Sequence, residues 1–88
     1  MDVKDLRYFV AAYEAQSFSR ATGALGTVPS NVSLRIRNLE ERLAMTLFVR
    51  RHRSVIPTAK GETLYRHAKQ VIEALDRAEQ AFKPTRAA

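Results

Sequence analysis

The side chains able to do chemistry in this sequence are hydroxyls, carboxamides and guanidiniums, and they crowd its middle. Ser17, Ser19 and Arg20 come first. Thr27, Ser30, Asn31, Ser33, Arg35, Arg37 and Asn38 follow, and then the run Arg50, Arg51, His52 and Arg53. Groups of this kind, at helical spacing, suit two tasks: holding phosphate oxygens and meeting the edges of bases. An arginine bidentate to guanine, or an asparagine to adenine, carries about 1–3 kcal/mol of discrimination. The same groups do not suit bond-making. Glu40 and Glu41 adjoin on one helix and diverge, His52 and His67 lack an acidic partner nearby in sequence, and no Gly-rich phosphate loop occurs. With two histidines and no cysteine, no metal site is expected. The expectation is a non-enzymatic protein with no cofactor in this stretch.

The chain has 88 residues and a net charge of +6. Its location is more telling than its size. Between Arg20 and Lys60 stand eight cations (Arg20, Arg35, Arg37, Arg42, Arg50, Arg51, Arg53 and Lys60) against Glu40 and Glu41, while the flanks hold seven charges of each sign and cancel. The excess sits in one segment, which points to a polyanion as partner; a basic face that is merely solvated is the bland alternative. The length allows one domain, near the lower end of what folds without staples. No apolar run approaches the ~20 residues of a membrane span, and the N-terminus has no signal-peptide core, so a soluble cytoplasmic protein without a membrane partner is expected.

These groups need elements to position them, and the hydrophobic spacing supplies them. Phe18, Ala21 and Leu25 give a short helix capped by Ser17. Gly26 and Pro29 force a bend, and Val32, Ile36, Leu39 and Leu43 then mark the core stripe of a second, longer helix. That is a helix-turn-helix over about 18–37, its second helix offering polar groups outward. Upstream, Asp2 and Asp5 form a capping-box-like start to a helix over 3–15, with Leu6, Phe9, Val10 and Tyr13 on its stripe. Tyr8 lies off that stripe and faces either solvent or a partner. Downstream, Leu47–Val49 and Val55–Ile56 bracket a basic tip, the pattern of a β-hairpin wing that sets Arg50, Arg51, His52 and Arg53 against phosphates or a minor groove. The bland alternative for that segment is a surface loop that happens to be basic.

Thr58 caps a last helix running to about Phe82. Leu64, Ala68, Val71, Leu75, Ala78 and Phe82 repeat at four and three residues, a heptad seam widened by Tyr65 and Ile72. Such a helix is roughly 36 Å long, more than this domain can cover, so a homodimer through a parallel or antiparallel helix pair is expected, a plain amphipathic helix in a monomer being the bland alternative. The reading is an all-α domain with a small β-hairpin wing.

In LRYFVAAYEAQSFSRAT, NVSLRIRNLEERL, LFVRR and PTAKGETL, taken in order and at these spacings, the chain resembles the N-terminal domain of the LysR-type transcriptional regulators from about Val3 to Leu64. The long helix resembles the family's linker helix. The resemblance implies a winged helix-turn-helix (1–58) that binds inverted-repeat DNA operators, a linker helix that dimerises (59–83), and 84–88 as the start of a linker. It implies further that a separate small-molecule effector domain is missing here, that the full-length protein can form tetramers, and that it sits with the bacterial nucleoid.

Departures from the family bear on base preference. Val28, Pro29 and Ser30 stand where Ser-Gln-Pro is usual, and Ser33-Leu34 where Ser-Arg is common. Leu34 either contacts a thymine methyl or turns inward, and Arg37 and Asn38 reach bases or backbone. Ala44 replaces a helix-breaking glycine, which is expected to lengthen the helix slightly. Gly23 costs ~1 kcal/mol in helix propensity relative to alanine. Two other functions fit parts of the pattern: a sequence-tolerant nucleoid-type DNA binder, and a protein-interaction module built on the long helix.

Overall fold

Reciprocal capping opens the first helix, α1 (Val3–Ala15): the Asp5 amide donates to Asp2 Oδ1 at 2.8 Å, and the Asp2 amide to Asp5 Oδ2 at 3.0 Å. Two orphan donors are satisfied at once. In the computed structural model, which describes residues 1–83, Gln16 caps the end of α1 and α2 (Phe18–Leu25) begins two residues later. Ser17 caps it, its hydroxyl accepting from the Arg20 amide at 3.2 Å. Gly26, at φ +63°, closes α2, and Pro29 opens α3 (Pro29–Leu43), so the expected bend falls where glycine and proline placed it.

At its other end α3 departs from expectation. Ala44 does not lengthen the helix; it adopts φ +53° and terminates it at Leu43, its amide donating back to Glu41 at 3.2 Å. The capping geometry prevails over the ~1–2 kcal/mol that a Cβ costs in the left-handed region.

Strands β1 (Phe48–Arg51) and β2 (Ser54–Pro57) pair antiparallel, with Arg51 opposite Ser54. The turn is therefore only His52 and Arg53, and Arg50 and Arg51 belong to a strand and not to the tip. The hairpin is fixed at its base by Glu40, whose carboxylate accepts from the amides of Leu47 at 2.7 Å and Phe48 at 3.3 Å. On its other edge the Val55 amide donates to the Gln16 carbonyl at 3.0 Å. The wing is thus tied to α3 and to the α1–α2 junction.

Phe9, Val32, Ile36, Leu39 and Leu47 are almost wholly excluded from solvent and form the centre of the core, with Phe48 and Val55 brought in by the wing. Phe48 meets Phe9 at 5.3 Å and Phe18 edge-on at 6.0 Å between ring centroids. Tyr8 also lies inside, 6% exposed.

The last helix, α4 (Ala59–Ala81), starts at Thr58, whose hydroxyl accepts from the Gly61 amide at 3.1 Å. It lies along α1. Tyr65 stacks on Tyr13 at 3.8 Å, and its hydroxyl donates to Glu14 at 2.6 Å. That bond, followed by burial, pushes the Tyr65 pKa up to about 12, and the same bond is the main force lowering Glu14. Lys69 joins Glu14 at 3.3 Å, and Arg7 meets Asp76 at 3.4 Å.

The heptad seam divides. Ala68, expected to face a second chain, is 1% exposed within its own core, because its small side chain lets α4 approach α1; that expectation is corrected. Leu64 and Ile72 also pack against this core, whereas Val71 and Phe82 are exposed at 43% and 90%. From Asp76 to Lys83 every residue is exposed. Residues 84–88, expected to begin a linker, lie outside the described residues. No described helix is long and apolar enough to cross a membrane.

Gly61 marks the closest approach of α4 to the hairpin. A Cβ there would come within 2.2 Å of the Leu47 carbonyl oxygen, a backbone atom already engaged by the Thr58 amide. Gly61→Ala is therefore expected to lower stability by about 1–3 kcal/mol, measured as a reduced urea midpoint with unchanged slope.

Candidate nucleic-acid interface

The apolar stripe of α3 decides where its other residues point. With Val32, Ile36 and Leu39 buried, Ser30, Leu34 and Arg37 fall opposite the stripe, Asn31 and Asn38 beside them, and all five are exposed. Leu34 turns outward at 51% exposure, so its side chain does not join the core. Ser33 and Arg35, one on each flank, are half-buried.

Arg35 is turned back toward α1. Its Nη1 donates to Asp5 Oδ1 at 2.9 Å and its guanidinium lies 4.8 Å above the Tyr8 ring, while its Nε is buried without a partner. Arg42 reaches the other Asp5 oxygen at 3.3 Å. Burial pushes the Asp5 carboxyl upward, but the Asp2 amide and the two guanidiniums outweigh it and hold the pKa below its ordinary value. Asn31 completes this side, its Nδ2 donating to Thr27 Oγ1 at 2.9 Å and to the Tyr8 hydroxyl at 3.3 Å. Tyr8 is therefore neither a solvent-facing nor a partner-facing residue; α3 closes over it.

On the opposite flank Arg50 Nη1 donates to Ser33 Oγ at 2.9 Å, and its guanidinium lies 4.8 Å over the Phe18 ring. One arginine thus bridges wing, recognition helix and α2. Beneath it opens a cleft of about 370 Å³, lined by Ser17, Phe18 and Ser19 from α2, Pro29, Ser30 and Ser33 from α3, and Arg50, Arg51, Arg53, Ser54 and Val55 from the wing. Hydroxyls, cations and the start of α2 converge there, an arrangement suited to an anion.

Several expected residues fall into different roles. Ser17 is 9% exposed with its hydroxyl committed to the cap. Arg20 lines a different groove, with Arg7, Glu14 and Lys69 between α1, α2 and α4, and so is parted from Ser17 and Ser19. His52 and Arg53 are exposed at the hairpin turn. Asp5 and Tyr8 were not expected to bear on the site. Asp5 reads as a cap, and nothing in the sequence signals that arginines 30 and 37 residues onward will converge on it. Glu40 likewise proves structural. Among the described residues there is no cluster of three or more potential metal ligands.

Helix, bend, outward-facing helix and anchored basic hairpin together define a winged helix-turn-helix. Residues 3–62 match the model of the bacterial regulatory helix-turn-helix proteins of the lysR family, and the chain belongs to that family. It is 41% identical over 86 residues to the HTH-type transcriptional regulator YofA of Bacillus subtilis (strain 168), covering 98% of this chain and 30% of that protein. The BenM DNA-binding domain, solved in complex with benA site 1 DNA, superposes with a TM-score of 0.86 at 36% identity, covering 92% of this chain and 91% of that one. The DNA complex of the CbnR DNA-binding domain gives a TM-score of 0.85 at 27% identity, over 92% and 93%. The chain spans about a quarter of the length of the curated relatives it matches.

A depressed carboxyl contributes stability above its unfolded pKa, about 3.9, and loses it as the pH falls through the folded value. Asp5→Ala should therefore cost about 2 kcal/mol at pH 7. The gap from the parent, followed by urea unfolding, should narrow as the pH is lowered through and below the carboxyl range.

Proposed function

We propose that this chain is the sequence-specific, double-stranded DNA-binding domain of a LysR-type transcriptional regulator, acting by binding and not by bond-making. Residues 1–58 form the DNA-binding unit, 59–83 the dimerising helix, and 84–88 lead toward an effector-binding domain that senses a small molecule. In this reading α3 enters the major groove with Ser30, Asn31, Leu34, Arg37 and Asn38 toward base edges. Ser19 and the start of α2 hold a phosphate, and Arg51, His52 and Arg53 lie along the backbone or in the adjoining minor groove. Arg35 supports the helix from behind. The observation that carries the reading is the continuity of one polar, cationic surface across α2, α3 and the wing, with Arg50 joining all three.

Dimerisation is assigned to the part of α4 that the domain does not cover. Val71, Leu75, Ala78 and Phe82 form a stripe beside the face used for the core, with Phe82 largely exposed, Val71 partly so and Leu75 half-buried. A second copy pairing along this stripe would place two recognition helices on an inverted repeat.

The test is a titration of the chain against a duplex enriched from a random pool, with random duplex as competitor. Preferential retention of the enriched duplex is expected, with an affinity loss of about 10³–10⁵ between 50 and 200 mM salt for some 6–10 phosphate contacts. Equal retention of both duplexes would instead support a sequence-tolerant binder, and a flat salt response would oppose the electrostatic picture. In parallel, Leu75→Asp should shift sedimentation toward monomer and weaken operator binding; unchanged sedimentation would move the dimer contact elsewhere.

A further inference from the structure

We infer that Leu34 is a specificity-determining residue that seats against the 5-methyl group of a thymine in each half-site; this rests on the DNA-binding reading above. Leu34 stands directly opposite the buried stripe of α3, in the middle of the most exposed face of the helix, with Ser30 and Asn31 one turn before it and Arg37 and Asn38 one turn after. It is 51% exposed and outside the domain core, so the fold itself does not call for a leucine there.

The neighbouring groups sharpen the point. Arg35, adjacent in sequence and the cation nearest this turn of the helix, is withdrawn to Asp5 and Tyr8. Asn31 is engaged by Thr27 and Tyr8 through its Nδ2. The centre of the face therefore presents an aliphatic group where an arginine would present donors. A leucine can neither donate to guanine nor accept from cytosine. In the major groove the apolar group available to it is the thymine methyl. A duplex with guanine at that position would leave its O6 and N7 facing a hydrocarbon and stripped of water.

The experiment uses the 88-residue chain and the duplex enriched from a random pool. Each thymine is replaced in turn by deoxyuridine, which removes the methyl group and keeps pairing and the O4 acceptor. One thymine per half-site should be sensitive, the replacement weakening binding about fourfold per half-site, equivalent to ~0.8 kcal/mol for one buried methyl-sized group. At that position 5-methylcytosine should bind better than cytosine. Leu34→Ala, which truncates a side chain outside the core and should keep the parent's thermal midpoint, should lose the sensitivity to deoxyuridine. Three results would overturn the assignment: every replacement within twofold of the parent duplex, the same sensitivity surviving in Leu34→Ala, or an enriched half-site with no preferred thymine. If no duplex is enriched at all, the DNA-binding reading itself fails, and this one with it.

Discussion

A single buried carboxylate, Asp5, sets the angle at which the recognition helix leaves the domain. Its side chain is 4% exposed, one oxygen held by Arg35 and the other shared between Arg42 and the Asp2 amide. The contribution is directional more than energetic. Taking a carboxylate and a guanidinium out of water offsets much of their attraction, whereas bonds to both oxygens leave α3 little freedom to roll about its axis. A rotation of α3 would exchange Leu34 and Arg37 for its flanks, so the face it offers outward depends on this contact with α1.

The opposite flank is fixed by different chemistry. Arg50 spans Ser33 and Phe18, and Glu40 accepts from the two amides at the base of the hairpin. Recognition helix and wing are therefore held in one frame by polar contacts over a common aromatic core. Three of the arginines that composition alone would assign to a polyanion, Arg35, Arg42 and Arg50, spend contacts on that frame. The arginines of α3 and the wing that take no part in it are Arg37, Arg51 and Arg53, all three exposed. This division separates the centre of the outer face of α3, where Leu34 stands, from a cationic border formed by Arg37 and the wing.

Much of this was legible in the residue pattern. The stripes Leu6–Phe9–Val10 and Val32–Ile36–Leu39, the caps Asp2, Ser17 and Thr58, and the Gly26–Pro29 bend are local signals, and each appears at its place. What escaped was set by tertiary contact. Tyr8 is off the stripe of α1 and yet buried, because Asn31 and Arg35 come to it from another helix. Ala68 lies on a heptad seam and yet packs inside its own chain, since α4 must serve the core before it can serve a partner. Ala44 shows a capping geometry prevailing over residue preference. Spacing shows which residues share a face, but not which neighbour that face will meet.

In the proposed complex α3 presents its outer face to the major groove while the wing lies at the minor groove or backbone. Dimethyl sulfate protection on an enriched duplex tests it directly, since the reagent methylates guanine N7 in the major groove and adenine N3 in the minor groove. N7 protection is expected within each half-site, with any N3 protection confined to the base pairs beside it. Tight binding that leaves every guanine N7 as reactive as in free DNA would contradict it.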